Sequence, residues 1–120
     1  MDSDPKILFV VPCPAIDGRM AILTKDLWIY KIVARRPFMR HKLELVKKII
    51  QLPKEQVQAY QKKSDPKKIC LQKEVPDFLP YNEAIRIALK LSTDGKTAEV
   101  VSAYDATMMP SKKEAIQYGS

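Results

Sequence analysis

The chain has 120 residues, 46% of them hydrophobic, and a formal net charge of +7 at pH 7. This size predicts one domain with one hydrophobic core. No hydrophobic run reaches the roughly 20 residues that a membrane-spanning helix needs, and the acidic residues 1–5 do not have the order of a secretory signal. We therefore expect a cytoplasmic protein with no membrane partner.

The first predicted element is a short hydrophobic strand, or an arm docked on the body, at residues 6–11. Residues 20–34 are ambiguous. Thr24 has the side chain of a helix cap and favours a helix that begins at Lys25, whereas the aromatic and β-branched residues of 28–33 favour a strand. We favour the helix.

A second helix is predicted for residues 38–52, because their hydrophobic side chains recur at helical spacing and fall on one broad face. Arg40, Glu44 and Lys47 fall on the opposite face. Pro37 precedes this segment and Pro53 follows it, and a proline at either position marks the boundary of a helix.

Alternating residues then predict four strands, at 56–62, 69–75, 85–91 and 97–104. A turn at residues 64–66 separates the first pair, and a loop at 75–82 follows. Asp94 and Gly95 are a hairpin signature between the last two strands. A two-residue turn there places Lys90 opposite Glu99, and it places Ser102 and Tyr104 opposite inward-facing isoleucines, on the apolar face.

These elements predict an α+β fold, with one or two N-terminal helices packed on an antiparallel sheet of about four strands. We expect a single domain over residues 1–120. Its predicted parts are an N-terminal strand or arm at 1–19, a helix-plus-sheet body at 20–105, and a tail at 106–120 that ends in a short helix near 111–117.

Two cysteines, Cys13 and Cys70, belong to no paired motif, and the chain has one histidine. This composition does not predict a zinc site, and the scattered carboxylates do not predict a magnesium site. We therefore expect no metal, no other cofactor and two inert thiols.

The charge is concentrated in residues 35–73, which hold twelve Lys or Arg against three Asp or Glu, while the rest of the chain sums to −2. Such a segment attracts phosphates, because cations that neutralise a nucleic-acid backbone release its condensed counterions. The only histidine, His41, lies inside this segment and is the first candidate for acid–base chemistry.

Several motifs occur in a recurrent order. Trp28 and Ile32 precede Arg35-Arg36-Pro37, the amphipathic helix and Pro53 follow, and Val100-Val101-Ser102-Ala103-Tyr104 closes the sheet. This order resembles the small phage- and toxin-associated domains of the barnase–EndoU–colicin–RelE superfamily, metal-independent ribonucleases of α+β fold. The resemblance covers roughly residues 24–105, and Arg36 stands where that family has histidine.

The resemblance implies metal-free cleavage of RNA, in which a base, an acid and fixed cations act on one phosphate. The implied catalytic residues are His41, Arg36, Ser102 and Tyr104. The implied phosphate-binding residues are Arg35, Arg40 and Lys73. The alternative for Ser102 and Tyr104 is a position at the edge of the core.

Two functions follow from these observations. The first is an RNA-directed, toxin-like ribonuclease, active or with reduced activity. The second is a non-enzymatic basic module that binds nucleic acid or an acidic protein. RNA is the expected partner in the first reading, and an acidic antitoxin or immunity-like protein fits either one, because it would cover the same basic surface.

Overall fold

The computed structural model describes residues 6–75, 84–106 and 115–118. These residues form one mixed sheet of seven strands in the order β1-β2-β6-β5-β4-β3-β7. The strands are β1 Ile7–Cys13, β2 Arg19–Thr24, β3 Gln58–Lys62, β4 Asp65–Glu74, β5 Ala84–Leu91, β6 Thr97–Ala106 and β7 Ala115–Gln117. Neighbouring strands are antiparallel except β2 and β6, which are parallel.

The predicted fold class, N-terminal helices on an antiparallel sheet of about four strands, is therefore wrong. The strand predicted at 6–11 is confirmed, but it continues through Pro12, which an edge strand tolerates because the proline nitrogen needs no partner there. Residues 19–24 form the strand β2, which was not predicted, and β1 and β2 extend the sheet beside β6. The helix predicted to begin at Lys25 is confirmed. Ala115–Gln117, predicted as the end of a helix, is the strand β7.

The helices are short. The helix α1 spans Lys25–Leu27 and continues as a π-helix over Trp28–Val33, and the helix α2 spans Leu43–Ile50. The predicted cap is confirmed, since the Leu27 N–H donates to Thr24 Oγ1 at 3.4 Å. Pro37–His41 forms a separate 3₁₀-helix ahead of α2, and two further 3₁₀ turns occur at Pro14–Ile16 and Lys54–Gln56.

One hydrophobic core lies on one face of the sheet, and the π-helix, the 3₁₀-helix at Pro37–His41 and α2 all contribute buried residues to it. We call this the inner face; it carries Ile85, Ile87 and Leu89 of β5, all fully buried. Val46 and Ile50 of α2 belong to the same buried cluster. The opposite face carries Arg86, Ala88 and Lys90, and we call it the outer face. No helix in the described residues is long and apolar enough to cross a membrane.

A β-bulge in β6 corrects the predicted register of the last hairpin. Lys90 lies opposite Glu99, as predicted, but the register shifts by one residue between Ala88 and Leu89. Beyond the shift, Ser102 lies opposite Ala88 and Tyr104 lies opposite Arg86. Because one extra residue reverses the side of every residue after it, Ser102 and Tyr104 lie on the outer face and not on the predicted apolar face.

One polar cluster ties together the two ends of the strand order. The Tyr118 hydroxyl, just after β7, donates to Asp17 Oδ2 at 2.8 Å and accepts from Arg19 Nη1 at 2.8 Å. The Arg19 Nε also donates to the carbonyl of Gly95, a turn glycine with φ 73°, at 2.6 Å. We call Asp17, Arg19 and Tyr118 the clasp, because it joins the turn after β1 to the opposite edge of the sheet.

We expect Tyr118→Phe to destabilise the protein at neutral pH more than at acid pH. The Tyr118 hydrogen bond lowers the pKa of Asp17, so the stabilisation is present above the ordinary aspartate pKa of about 4 and is lost as the pH falls through the lowered value. Thermal unfolding should show a Tm about 2–5 °C below wild type at pH 7 and a smaller gap at acid pH, where Asp17 becomes protonated. Equal gaps at both pH values would contradict this role of the carboxylate.

Candidate nucleic-acid interface

The predicted residues of the Arg-rich segment lie in and before the 3₁₀-helix that precedes α2. Arg36 Nε donates to Asp105 Oδ1 at 3.2 Å, and the Arg36 side chain remains about half exposed. Arg40 Nε donates to His41 Nε2 at 3.1 Å. Arg35, Arg40 and His41 are all exposed. This pair brings a cation next to the only imidazole, with the Nε2 atom as acceptor.

The remaining predicted residues are distributed over both faces of the sheet. Lys73 lies opposite Ile85, on the inner face, and Ile85 in turn lies opposite Asp105. Ser102 and Tyr104 lie on the outer face. The structure therefore places Arg36 and Lys73 on the side of Asp105, and the sheet separates them from Ser102 and Tyr104.

A lysine-rich turn connects β3 and β4. It carries four cations around a Ser-Asp-Pro turn, and we call them the lysine hairpin: Lys62, Lys63, Lys67 and Lys68. Asp65 Oδ1 accepts the backbone N–H of Lys67 at 3.3 Å, and Gln61 Nε2 donates to the Pro66 carbonyl at 2.7 Å. These hydrogen bonds hold the turn and explain why the sequence folds back at this point.

The lysine hairpin is not neutralised by its surroundings. No ion pair within 4 Å joins any of its four lysines to a described residue. The one carboxylate in the turn, Asp65, instead lies 3.7 Å from Lys90 Nζ. Lys62, Lys63 and Lys67 are exposed and Lys68 is half-buried. The hairpin therefore presents uncompensated positive charge to an anionic ligand.

Aromatic and cationic side chains lie beside this hairpin on the outer face. We call Tyr60, Cys70, Arg86 and Tyr104 the platform. Tyr60 lies opposite Cys70 across β3 and β4, and Arg86 lies opposite Tyr104 across β5 and β6. The guanidinium carbon of Arg86 is 5.7 Å from the centre of the Tyr104 ring, within cation–π range. Each platform residue is half-buried, so each keeps part of its surface accessible.

Gln72 fixes the position of Arg86. Its side chain is only 4% exposed, and Arg86 Nε donates to Gln72 Oε1 at 3.0 Å. Gln72 and Arg86 are direct cross-strand neighbours. The Gln72 amide accepts one N–H of the Arg86 guanidinium, and the Tyr104 ring lies beside it. Together they restrict the guanidinium to the outer face.

The Cys70 thiol is half-buried and lies near three cations. Burial raises the pKa of Cys70, and the positive charges of Arg86, Lys68 and Lys62 act in the opposite direction. These cations come from three different strands, so the topology gathers them around one point of the outer face. By contrast, Cys13 lies in the core, and burial raises its pKa to about 11, as expected for an inert thiol.

A cavity of about 680 Å³ lies beside the platform, at the end of β3. Its walls come from the clasp, the 3₁₀ turn before β3, and β3 and β7 themselves. The side chains that line it are mostly polar: Asp17, Lys54, Glu55, Gln58, Tyr60, Gln117 and Tyr118. Its size is that of a pocket for a small molecule or for one unit of a polymer.

The sequence identified the basic segment, but it did not identify the lysine hairpin and the platform as the residues that lie together. None of the four hairpin lysines was among the predicted site residues, and neither were the platform residues Tyr60 and Arg86. The available signal was the alternation of β3 to β5, which places Tyr60, Cys70 and Arg86 on a single face. Reading this signal requires the cross-strand register, which the sequence alone did not supply for β3 to β5.

No protein-family model, characterised protein or solved structure matches the chain significantly. The resemblance to the barnase–EndoU–colicin–RelE superfamily therefore stays a prediction, and the interface is interpreted from its own geometry.

Proposed function

We propose that this chain is a non-enzymatic module that binds single-stranded RNA through the lysine hairpin and the platform. The observation that carries the proposal is the uncompensated charge of the hairpin beside two half-buried tyrosines, Tyr60 and Tyr104. Cations attract the phosphates, and aromatic rings stack on unpaired bases with little dependence on sequence. This combination suits a single strand better than a duplex, whose bases are already stacked.

Binding without cleavage is favoured by the positions of the predicted catalytic residues. Cleavage by the implied mechanism needs an imidazole, cations and hydroxyl donors around one phosphate. Arg36 contacts Asp105 at 3.2 Å on one side of the sheet, whereas Ser102 and Tyr104 lie on the other. His41 contacts Arg40, and no hydrogen bond joins it to another predicted residue within the described ranges.

Fluorescence anisotropy with a labelled single-stranded RNA of about 12 nucleotides tests the proposal. We expect saturable binding at low salt, weakening as salt rises, and intact RNA on a denaturing gel in the presence of a chelator. Absence of saturable binding at low salt would contradict the proposal. Chelator-resistant cleavage that His41→Ala or Arg36→Ala abolishes would establish the ribonuclease instead.

The same assay separates RNA from an acidic protein as the ligand. Polyglutamate of matched charge supplies anions without bases, so it serves as the competitor. We expect it to displace the RNA only at a large excess, because it offers nothing to stack on the tyrosines. Displacement at equal charge concentration would favour the acidic-protein reading.

A further inference from the structure

The cavity at the end of β3 has no part in attracting phosphates. Its lining includes two carboxylates, Asp17 and Glu55, and one exposed ammonium, Lys54. Arg19, which does not line the cavity, pairs with Asp17 at 3.2 Å, so the charges around the cavity nearly cancel. A site of this kind does not concentrate anions, and it suits an uncharged polar group.

The remaining lining groups are those that recognise a planar heterocycle. Gln58 and Gln117 carry amides, each with a donor and an acceptor in one plane, the arrangement that pairs with the edge of a base. Gln58 is exposed, and no hydrogen bond is formed by its side chain in the described part of the chain. Tyr60 and Tyr118 supply aromatic rings.

The clasp fixes one wall of this cavity in advance. The Tyr118 hydroxyl is held by both Asp17 and Arg19 at 2.8 Å, and the ring packs against the core cluster. Lys54 and Asp17 both line the cavity, and the positive charge of Lys54 helps to lower the pKa of Asp17. A wall that is already ordered loses little entropy when a ligand binds.

The cavity and the lysine hairpin lie on one strand, within reach of a single RNA molecule. Gln58 and Tyr60 border the cavity, and Lys62 ends the same strand at the hairpin. Four residues of extended strand span about 13 Å, a distance that a few nucleotides cover. Tyr60 stands between the two sites and is also a platform residue.

We propose that this cavity takes one unpaired base of the RNA that is held by the lysine hairpin. The base stacks on an aromatic ring of the cavity while the amide of Gln58 contacts its edge, and the sugar-phosphate chain continues along β3 to the hairpin. The inference rests on the proposed function and adds to it a pocket for one base, separate from the stacking on the platform.

The experiment compares two labelled oligomers of about 12 units, a single-stranded RNA and the same ribose-phosphate chain without bases. We expect the wild-type chain to bind the RNA about tenfold more tightly, the low end of what base stacking on aromatic side chains contributes. Gln58→Ala should lower this ratio while leaving the affinity for the abasic chain nearly unchanged. Tyr60→Leu removes a ring that the cavity shares with the platform, so it should lower the ratio further.

The matched controls are Gln56→Ala, an exposed glutamine two residues away that does not line the cavity, and Tyr30→Leu, a tyrosine that is 71% exposed on the π-helix. Both should keep the wild-type ratio. Gln58 is exposed, so its variant folds even if Tyr60→Leu is destabilised, and thermal unfolding checks this. An unchanged ratio in Gln58→Ala would overturn the base site alone. Equal wild-type affinity for the two oligomers would overturn both the base site and the stacking on the platform. Failure to bind either oligomer would overturn the proposed function.

Discussion

Replacing the four residues of the lysine hairpin with glutamine should flatten the salt dependence of RNA binding. Each phosphate contact to a single strand contributes about −0.7 to the slope of log affinity against log salt. If all four lysines contact phosphates, the slope changes by about 3. Between 50 and 200 mM salt, the wild-type affinity should then fall about 50-fold more than that of the variant. Anisotropy titrations at four or five salt concentrations measure both slopes.

The control for this variant removes the same charge elsewhere. Lys25, Lys31, Lys48 and Lys96 are exposed lysines outside the hairpin and the platform. Their quadruple replacement by glutamine lowers the net charge equally, so it tests attraction by the whole molecule. We expect a slope within about one unit of wild type. Equal slopes for the two quadruple variants would show that net charge, and not the hairpin, determines binding.

Truncating Ile87 to alanine should cause the largest loss of stability. Ile87 is fully buried on β5, which lies between β4 and β6. Isoleucine-to-alanine substitutions in such positions cost about 2–5 kcal/mol, since the hydrophobic transfer energy is lost and a cavity remains. A cost of about 3.5 kcal/mol lowers the Tm of a chain of this size by roughly 10–15 °C. Thermal and urea unfolding provide the measurement.

Val10→Ala is the comparison for this core truncation. Val10 lies on the edge strand β1, and 45% of its surface is exposed, so a smaller side chain leaves no cavity there. Surface changes of this kind usually alter the free energy of unfolding by no more than about 0.5 kcal/mol. A loss at Val10 as large as that at Ile87 would mean that β1 carries a buried surface that the structure does not indicate.

The hairpin of β5 and β6 shows what the alternation of hydrophobic residues can predict and what it cannot. The alternation of β5 and the Asp94-Gly95 turn predicted both strands and the pair between Lys90 and Glu99. The bulge was not predictable, because Val100 and Val101 are equally good strand residues and neither marks an irregular position. One extra residue moved Ser102 and Tyr104 to the outer face, so a correct strand prediction still gave an incorrect site geometry.

The strand β2 was missed for a different reason. The segment from Arg19 to Thr24 is a strand because β2 pairs in parallel with β6, more than seventy residues later. No pattern within residues 19–24 indicates that a distant strand pairs with them. In short hydrophobic segments, pairing with another strand outweighs the local preference for helix or strand. The helix predicted to begin at Lys25 does form there, and Thr24 caps it.

The candidate site was also predictable only in part, because its charge depends on composition and its geometry depends on strand pairing. The concentration of cations between residues 35 and 73 was visible in composition alone, since charge is additive along the chain. Which of those cations converge depends on cross-strand register. In the structure Arg36 pairs with Asp105, whereas the hairpin lysines lie next to Tyr60 at the end of β3. The sequence therefore revealed the basic segment. It did not show whether the Arg-rich residues around Arg36 or the hairpin lysines form the site.

The clasp has a consequence for the order in which the chain folds. Its hydrogen bond between Arg19 and Tyr118 joins residues that are 99 positions apart. Contacts of such separation form late, because the entropy of closing a long loop must be overcome before they contribute. The hairpins β3–β4 and β5–β6 have local partners and are free to assemble first. Joining the two margins of the sheet is thus expected to be a slow, final stage of maturation, during which the edge of β3 is transiently open to other chains.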